Sequence, residues 1–353
     1  KTGLAERVPR LASVVFHNKL GSQLARVERI QKLAVEIARR LAVDTRAVEQ
    51  AAYLSKADLL TDMVGEFPEL QGTMGKYYAR LSGELAPEAA EAIEQHYQPR
   101  SARDRLPENS IGQCLALADR LDTLTGIYGI GLVPTGDKDP FGLRRQALGV
   151  IRILLEKTLP LDVLELLELA RSYYPNGVVA ESVAQDLYGF MLERFKPYLR
   201  EQGFQPDEIE AVLSLNPTRL DQALRRLRAL QLFRRLPEAE ALASANKRIR
   251  NILRQAGGAP GDSVNPALLQ EESEIRLARQ VEALRGEVTP LFDAGDYTQA
   301  LSLLAGLRAV VDEFFDKVMV MVEDAPVRAN RLALLKDLSN LFLGVADISR
   351  LQS

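Results

Sequence analysis

The chain has 353 residues, of which 46% are hydrophobic and 26% charged, and its formal net charge is −3. This length is enough for two or three domains with their own cores, and the composition is that of an ordinary globular protein. No apolar run approaches the length of a membrane span, and the single Cys114 excludes an internal disulfide and is typical of a reducing compartment such as the cytoplasm.

The first part of the chain is predicted to be helical. Apolar residues recur there at a spacing near 3.6, strand-like alternation is rare, and aromatic residues are few. Asp139 is predicted to cap a helix that starts at Pro140, where proline is tolerated. The predicted helices of this first region, 1–160, cover residues 24–37, 46–64, 88–96, 111–124 and 141–157.

Turn signals after residue 160 divide the rest of the chain. Residues 161–235 are predicted to form shorter, connecting helices, and the Gly/Pro stretch 257–261 indicates a loop or linker. Within the third region, 236–353, Asp324 is a predicted N-cap with Pro326 in the first turn. Residues 318–322 have strand propensity, but the phasing of the preceding phenylalanines favours a helix end. The four predicted helices of this region cover residues 266–285, 297–310, 312–320 and 326–343.

Positive charge is concentrated before the predicted linker. Residues 219–254 contain ten Lys or Arg and three Asp or Glu, an excess of seven positive charges in an acidic chain. Lys247, Arg250 and Arg254 share one helix face, which is typical of surfaces that contact phosphates. With Arg248, they are the first predicted RNA contacts. The alternative is a solvated face paired with Glu238, Glu240 or carboxylates of another domain.

Two stretches of the first region, AAYLSKADLLTDMVGEF (51–67) and ALADRLDTL (116–124), resemble the metal-ligand helices of the HD superfamily of phosphohydrolases. Metal-dependent chemistry of that kind needs converging histidines, and none lies in these stretches or in the helix around residues 26–33. The sequence therefore predicts a degenerate site without a metal. The vestigial carboxylates of this site are Asp58, Asp62 and Asp119. They are predicted to be ion-paired braces between helices, neutralised by Lys56 or Arg120. His17 and His96 are predicted to be isolated surface or packing residues.

The stretch GIGLVPTGDKDPFGLRRQALGVIRI (129–153) contains Gly, Thr and Lys but does not form a P-loop, because carboxylates flank Lys138 on both sides. Arg144 and Arg145 are weaker candidates for phosphate contact. In the alternative interpretation they and Arg152 pair with Asp119 or Asp122.

Three long stretches, 56–79, 129–153 and 314–352, together resemble the β subunit of bacterial glycyl-tRNA synthetase. The resemblance covers nearly all of this chain and implies that it is the C-terminal portion of that subunit. The start at Lys1 rather than Met is a separate sign of a fragment. The last stretch also resembles the all-helical anticodon-binding domain of the arginine and related synthetases. Its signature falls at residues 324–332, which makes Arg328 and Arg331 secondary candidates for tRNA contact, unless they pair with Glu323 or Asp324.

The resemblance implies an all-α protein with a degenerate HD-like domain, a connecting helical region and an anticodon-binding bundle. It implies no catalytic centre or cofactor in this chain, since glycine, ATP and Mg²⁺ belong to a separate α subunit. The implied partners are glycine tRNA and that α subunit, in an α2β2 tetramer in the cytoplasm, with no membrane. Two alternatives remain open, which are an active metal-dependent phosphohydrolase and a structural scaffold that docks the α subunit.

Overall fold

The computed structural model describes residues 3–83, 85–256, 261 and 263–352. Across these residues the only sheet is a short antiparallel pair, β1 (Val15–His17) and β2 (Gly21–Ser22), and the other named elements are helices. The predicted all-α class is confirmed. None of the described helices is long and apolar enough to cross a membrane.

The chain forms two compact units. The first contains residues 1–197 and 218–221, and the second contains residues 198–217 and 222–353. Residues of the predicted connecting region therefore occur in both units, and the division into three regions stays a prediction.

The first unit is a group of helices joined by short 3₁₀ turns. Its elements include 3₁₀ turns at Val8–Ser13, Ala57–Leu60 and Pro68–Leu70. Its helices are α1 (Leu4–Arg7), α2 (Gln23–Arg40), α3 (Thr45–Leu54), α4 (Asp62–Glu66), α5 (Thr73–Ser82), α6 (Pro87–Gln95), α7 (Ser110–Gly129), α8 (Leu143–Glu156), α9 (Val163–Ser172) and most of α10 (Val183–Glu201).

Helix α7 is the centre of the first unit. Every residue from Ile111 to Ile127 is buried, and the helix packs against α2, α3, α6, α8 and α9. A helix that is apolar on nearly all sides belongs in a core rather than at a surface. The polar residues that α7 carries are therefore buried as well and require partners inside the protein.

The starts of the helices follow from side-chain caps. Asn109 accepts a hydrogen bond from the backbone N–H of Gly112 at 2.7 Å and so fixes the start of α7. Helix α8 starts at Leu143 rather than at Pro140, so the predicted boundary was wrong. The carboxylate of Asp139 nevertheless accepts from the N–H groups of Leu143 (2.7 Å) and Arg144 (2.9 Å), because a turn places it over the first turn of the helix.

The second unit has its own helical core. Its 3₁₀ turns are Pro266–Leu268 and Ile348–Arg350. Its helices are α11 (Pro206–Leu213), most of α12 (Leu220–Phe233), α13 (Ala239–Gln255), α14 (Glu272–Ala294), α15 (Tyr297–Ala305), α16 (Arg308–Lys317) and α17 (Ala325–Leu343).

Helices α14 to α17 confirm the four helices predicted in this region, with shifted boundaries. Asp324 accepts from the N–H of Val327 at 3.1 Å, so the predicted cap of α17 is confirmed. Residues 318–322 form neither strand nor helix, because α16 ends at Lys317. The linker predicted at residues 257–261 lies outside the described residues except for Gly261.

Candidate nucleic-acid interface and buried ionic cluster

A buried carboxylate on α7 joins three elements of the first unit. Asp119 lies 2.8 Å from Nη2 of Arg26 on α2 and 3.2 Å from Nζ of Lys56, which follows α3. Lys56 is also 2.8 Å from Nε2 of His96, whose Nδ1 lies 2.6 Å from the carbonyl oxygen of Ile93. This geometry indicates that the Nδ1–H of His96 donates to the carbonyl and that Nε2 accepts from Lys56. Asp119 is thus the ion-paired brace that the sequence predicts.

Burial and the neighbouring charges together decide the protonation of this cluster. Burial lowers the pKa of Lys56 to about 8, although Asp119 opposes the change. Burial alone would raise the pKa of Asp119, but Lys56 and Arg26 hold it well below its usual range. Burial, and then the charge of Lys56, lowers the pKa of His96 well below its ordinary value. His96 is therefore a neutral hydrogen-bond acceptor at neutral pH.

A second ion pair lies one helical turn along α7. Asp122 accepts from Nε of Arg29 at 2.7 Å and from the hydroxyl of Tyr174 at 3.0 Å. The Arg29 guanidinium also stacks on the Tyr174 ring, 4.2 Å from its centroid. Because both charged groups are almost inaccessible to water, this pair fixes α2 against α7.

The other two predicted carboxylates are not part of this cluster. Oδ2 of Asp58 accepts from the N–H groups of Gly72 (2.6 Å) and Gly75 (3.0 Å), and burial raises the pKa of Asp58. Asp58 is therefore held by backbone donors and forms no side-chain ion pair among the residues that the structure describes, contrary to the predicted brace. Asp62 is exposed in the first turn of α4 and braces no second helix in the described part of the chain.

The side chain of α2 that contacts Asp119 is a cation rather than a metal-binding histidine. Arg26 lies on the helix where the HD resemblance places a ligand histidine, and its guanidinium contacts Asp119 directly. Within the described residues no group of three or more His, Cys, Asp or Glu could hold a metal ion. His17 lies on β1, and its Nδ1 accepts from the N–H of Lys19 at 3.2 Å. His96, in contrast, is completely buried and belongs to the cluster, so its predicted isolation was wrong.

The predicted basic face is present on α13 of the second unit. Lys247, Arg248, Arg250 and Arg254 are all exposed. Arg250 lies 3.3 Å from Asp347, yet its side chain stays 53% exposed. Arg254 donates to the side-chain oxygen of its neighbour Asn251 at 3.3 Å. In the described structure, Glu238 and Glu240 form no ion pair with these four cations.

An aromatic ring lies beside this face. The guanidinium of Arg248 lies over the ring of Phe315 on α16, 4.3 Å from its centroid. After α16 ends, the side chains of Met319 and Met321 are 72% and 48% exposed. A cation, a ring and exposed thioethers offer a surface on which an unpaired base can stack. Of these residues only Arg248 was predicted from the sequence. The pair Phe314 and Phe315, with only the first on the buried face, was a usable signal for the ring.

The two arginines of the anticodon-domain signature have different surroundings. Arg331 is buried, and its Nε lies 3.1 Å from Glu274, which is fully buried, while its Nη1 donates to the carbonyl of Met319 at 2.7 Å. Arg328 donates to the carbonyl of Val322 at 2.7 Å and is half-buried. Neither forms the predicted pair with Glu323 or Asp324 in the described structure. Their geometry is structural, and tRNA contact by either stays a prediction.

Arg144 and Arg145, the weaker candidates on α8, have different surroundings. Arg145 is exposed and lines a cleft with Asp119, whereas Arg144 is half-buried at the first turn of α8 and does not line that cleft. The alternative pairing of α8 arginines with Asp119 or Asp122 does not occur in the described structure. Arg152 pairs instead with Glu156, 2.7 Å away on its own helix.

Comparisons of the sequence with known proteins cover nearly the whole chain. Residues 1–214 match the family model of the glycyl-tRNA synthetase beta subunit, and residues 242–346 match the DALR anticodon binding domain. The second match covers most of α13 and all of the helices α14 to α17.

Three similar proteins are glycine–tRNA ligase beta subunits. That of Ralstonia nicotianae is 51% identical over 99% of this chain and 50% of its own length. That of Aromatoleum aromaticum is 55% identical over 100% of this chain and 51% of its own length. That of Thiobacillus denitrificans is 52% identical over 99% of this chain and 50% of its own length. The chain therefore spans about half the length of these relatives, and it belongs to the glycyl-tRNA synthetase beta subunit family.

Proposed function

We propose that this chain is the tRNA-binding portion of the beta subunit of a glycine–tRNA ligase. The observation that carries this proposal is the exposed basic face of α13, formed by Lys247, Arg248, Arg250 and Arg254, inside the region that matches an anticodon-binding domain. The four cations contact tRNA phosphates, which fix the position of the RNA on the protein.

Recognition of unpaired bases is assigned to the neighbouring residues. The Arg248–Phe315 pair and Met319 give a base an aromatic and a thioether surface, and stacking of this kind suits the splayed bases of an anticodon loop. Lys247 borders a groove of about 610 Å³ that also contains Arg234, Arg350 and Glu240. The two arginines pair with Asp207 and Asp347, so Lys247 is the cation of this groove that belongs to the proposed face. Arg328 remains a secondary candidate for phosphate contact, and Arg144 and Arg145 remain weaker ones. The burial of Arg331 and its pair with Glu274 oppose the contact predicted for that residue.

The chain acts within a larger enzyme in this proposal. Glycine, ATP and Mg²⁺ bind to a separate α subunit, and the two kinds of subunit assemble as an α2β2 tetramer in the cytoplasm. This chain binds tRNA(Gly), including its anticodon region, so that the α subunit can attach glycine to it. The Asp119 cluster contributes rigidity, because its carboxylate is already neutralised by Arg26 and Lys56.

Binding of glycine tRNA to the full chain tests this proposal. The affinity is expected to fall steeply with salt, because phosphate contacts release condensed counterions. Replacing Lys247, Arg250 and Arg254 by alanine together is expected to flatten the slope of log affinity against log salt by up to about three, one for each lost contact. Fluorescence anisotropy between low and physiological salt measures this slope.

A matched control removes three exposed positive charges elsewhere. Arg10, Lys19 and Arg46 are exposed residues of the first unit, and alanine at all three is expected to leave the slope unchanged. No binding at low salt would support the alternative of a scaffold that only docks the α subunit. Equal loss in the two triple variants would mean that net charge, rather than the face of α13, holds the RNA.

A further inference from the structure

The buried ionic cluster of the first unit borders an open cleft of about 450 Å³. The cleft lies among α2, the segment after α3, the residues after α6, and helices α7 and α8. Its charged lining residues are Arg26, Lys56, Arg100, Asp119, Arg120 and Arg145. The lining thus contains five cationic side chains and a single carboxylate.

This carboxylate already forms ion pairs with two cations. Asp119 is shared between Arg26 and Lys56 and also acts electrostatically on Arg120, so a single negative charge faces five positive ones. Including the neighbouring pair of Arg29 and Asp122 adds one charge of each sign, and the excess of positive charge is unchanged.

The most buried of the remaining arginines is held by neutral acceptors. The guanidinium of Arg120 donates to the carbonyl of Pro99 at 2.8 Å, to the carbonyl of Tyr97 at 3.2 Å and to Oε1 of Gln146 at 3.4 Å. These bonds orient the group without cancelling its charge. Asp104 lies nearby, but its two oxygens accept from backbone N–H groups that follow Pro99 and Asp104 in the chain.

The two outer arginines have no carboxylate partner. Arg100 and Arg145 are exposed, and neither forms an ion pair within the described residues. Burial lowers the pKa of Arg120 to about 10, Asp119 opposes this change, and the nearby charge of Arg145 adds to it. Positive charges that are held together and partly removed from water repel each other unless an anion joins them.

We propose that this cleft binds a phosphate group, with Arg100, Arg120, Arg145 and Lys56 as its charged partners. Several arginines around one site suit phosphate, because an exposed guanidinium such as that of Arg100 or Arg145 can donate two parallel hydrogen bonds to its oxygens. Arg120 contributes mainly its charge, because its own hydrogen bonds hold it in place. A free or nucleotide phosphate and a phosphodiester of RNA share this chemistry. The site lies in the first unit, and it does not depend on tRNA contact by α13.

Titration calorimetry of the full chain with inorganic pyrophosphate, at low ionic strength, provides the first test. We expect one molecule bound per chain. Arg145→Ala and Arg100→Ala are each expected to weaken the binding about tenfold or more, the typical effect of losing a charged hydrogen bond. Arg145→Lys should retain part of it, and Arg46→Ala, which removes an exposed charge outside the cleft, should have no effect. Circular dichroism checks that these surface variants remain folded.

A second titration separates the two sources of phosphate. A short single-stranded RNA without a terminal phosphate offers only phosphodiesters, and the variant with alanine at residues 247, 250 and 254 removes the competing face of α13. Binding of pyrophosphate alone, lost in Arg145→Ala, identifies a free or nucleotide phosphate as the ligand. Binding of this RNA, lost in the same variant, identifies an RNA phosphodiester. The proposal is overturned if the chain binds neither pyrophosphate nor the RNA. It is also overturned if Arg145→Ala and Arg100→Ala leave the binding unchanged.

Discussion

Asp119 is the residue on which the ionic cluster of the first unit depends. It is a buried carboxylate with two cationic neighbours, Arg26 and Lys56, that come from different parts of the chain. A buried pair of this kind contributes little net stability compared with apolar residues, but breaking it on one side leaves unpaired charge in the core. The cost of losing Asp119 therefore exceeds what the pair itself contributes.

Asp119→Ala is expected to lower the free energy of unfolding by about 3–5 kcal/mol, because Arg26 and Lys56 then stay buried without their carboxylate. Urea denaturation of the variant and the wild type measures the difference. Asp62→Ala removes an exposed carboxylate of the same unit and is expected to change the free energy by less than about 0.5 kcal/mol. Similar losses in the two variants would show that Asp119 is not a buried brace.

Sequence analysis predicted the role of Asp119 but not all of its partners. Lys56 was a predicted neutralising group, whereas Arg26 and His96 were not, since contacts across 93 and 40 residues leave no periodic signal. One sign was available for Arg26. It lies seven residues before Leu33, on the same buried side of α2, where an arginine requires a partner.

Helix α7 shows how close packing of an element depends on single glycines. A Cβ at Gly126 would lie 2.3 Å from the hydroxyl of Tyr174, which donates to the carbonyl of Asp122 at 2.9 Å. The glycine therefore allows α7 to approach Tyr174 closely enough for this bond to form.

Gly126→Ala is expected to destabilise the protein by about 1–3 kcal/mol, because the methyl group would displace a buried ring and its hydrogen bonds. Gly189→Ala in α10 is the control, since a Cβ there meets nothing within 4 Å. That variant is expected to stabilise the protein by about 0.5–1 kcal/mol, as alanine does in an open helix position. Thermal unfolding measures both. A neutral result for Gly126→Ala would contradict the close approach.

At the scale of elements, the periodicity of apolar residues predicted which segments are helices but not where each one ends. Asp139 was expected to cap a helix starting at Pro140, yet α8 starts at Leu143. A cap and a first-turn proline cannot determine whether the chain makes one further turn before the helix, because tertiary packing decides it. The same limit applies to α16, which ends before residue 318.

At the scale of the whole chain, net charge conceals how the charges are distributed. The total is −3, but α13 carries exposed cations and the cleft of the first unit has five cationic side chains to one carboxylate. The sequence predicted the first of these, because its charges lie close together in one helix. The cleft is assembled from residues between 23 and 146 and becomes visible only in the fold.

Global stability should depend on pH through Lys56. Its pKa is about 8 in the folded chain and 10.5 as an ordinary lysine, so above pH 8 the unfolded chain binds more protons. The contribution of Lys56 to stability therefore rises with pH, by about 1 kcal/mol between pH 7 and 9. Urea denaturation of the wild type and of Lys56→Met measures it as a difference. An equal pH dependence in both proteins would show that Lys56 titrates normally.

The central claim is that the face of α13 and the ring beside it hold tRNA. Ultraviolet crosslinking of glycine tRNA to the full chain, followed by mass spectrometry of the crosslinked peptides, tests it most directly. We expect crosslinks in α13 between residues 247 and 254 and around Phe315 and Met319, with anticodon-loop nucleotides at the latter. Crosslinks confined to other surfaces, with α13 and residues 315–321 free of them, would contradict it.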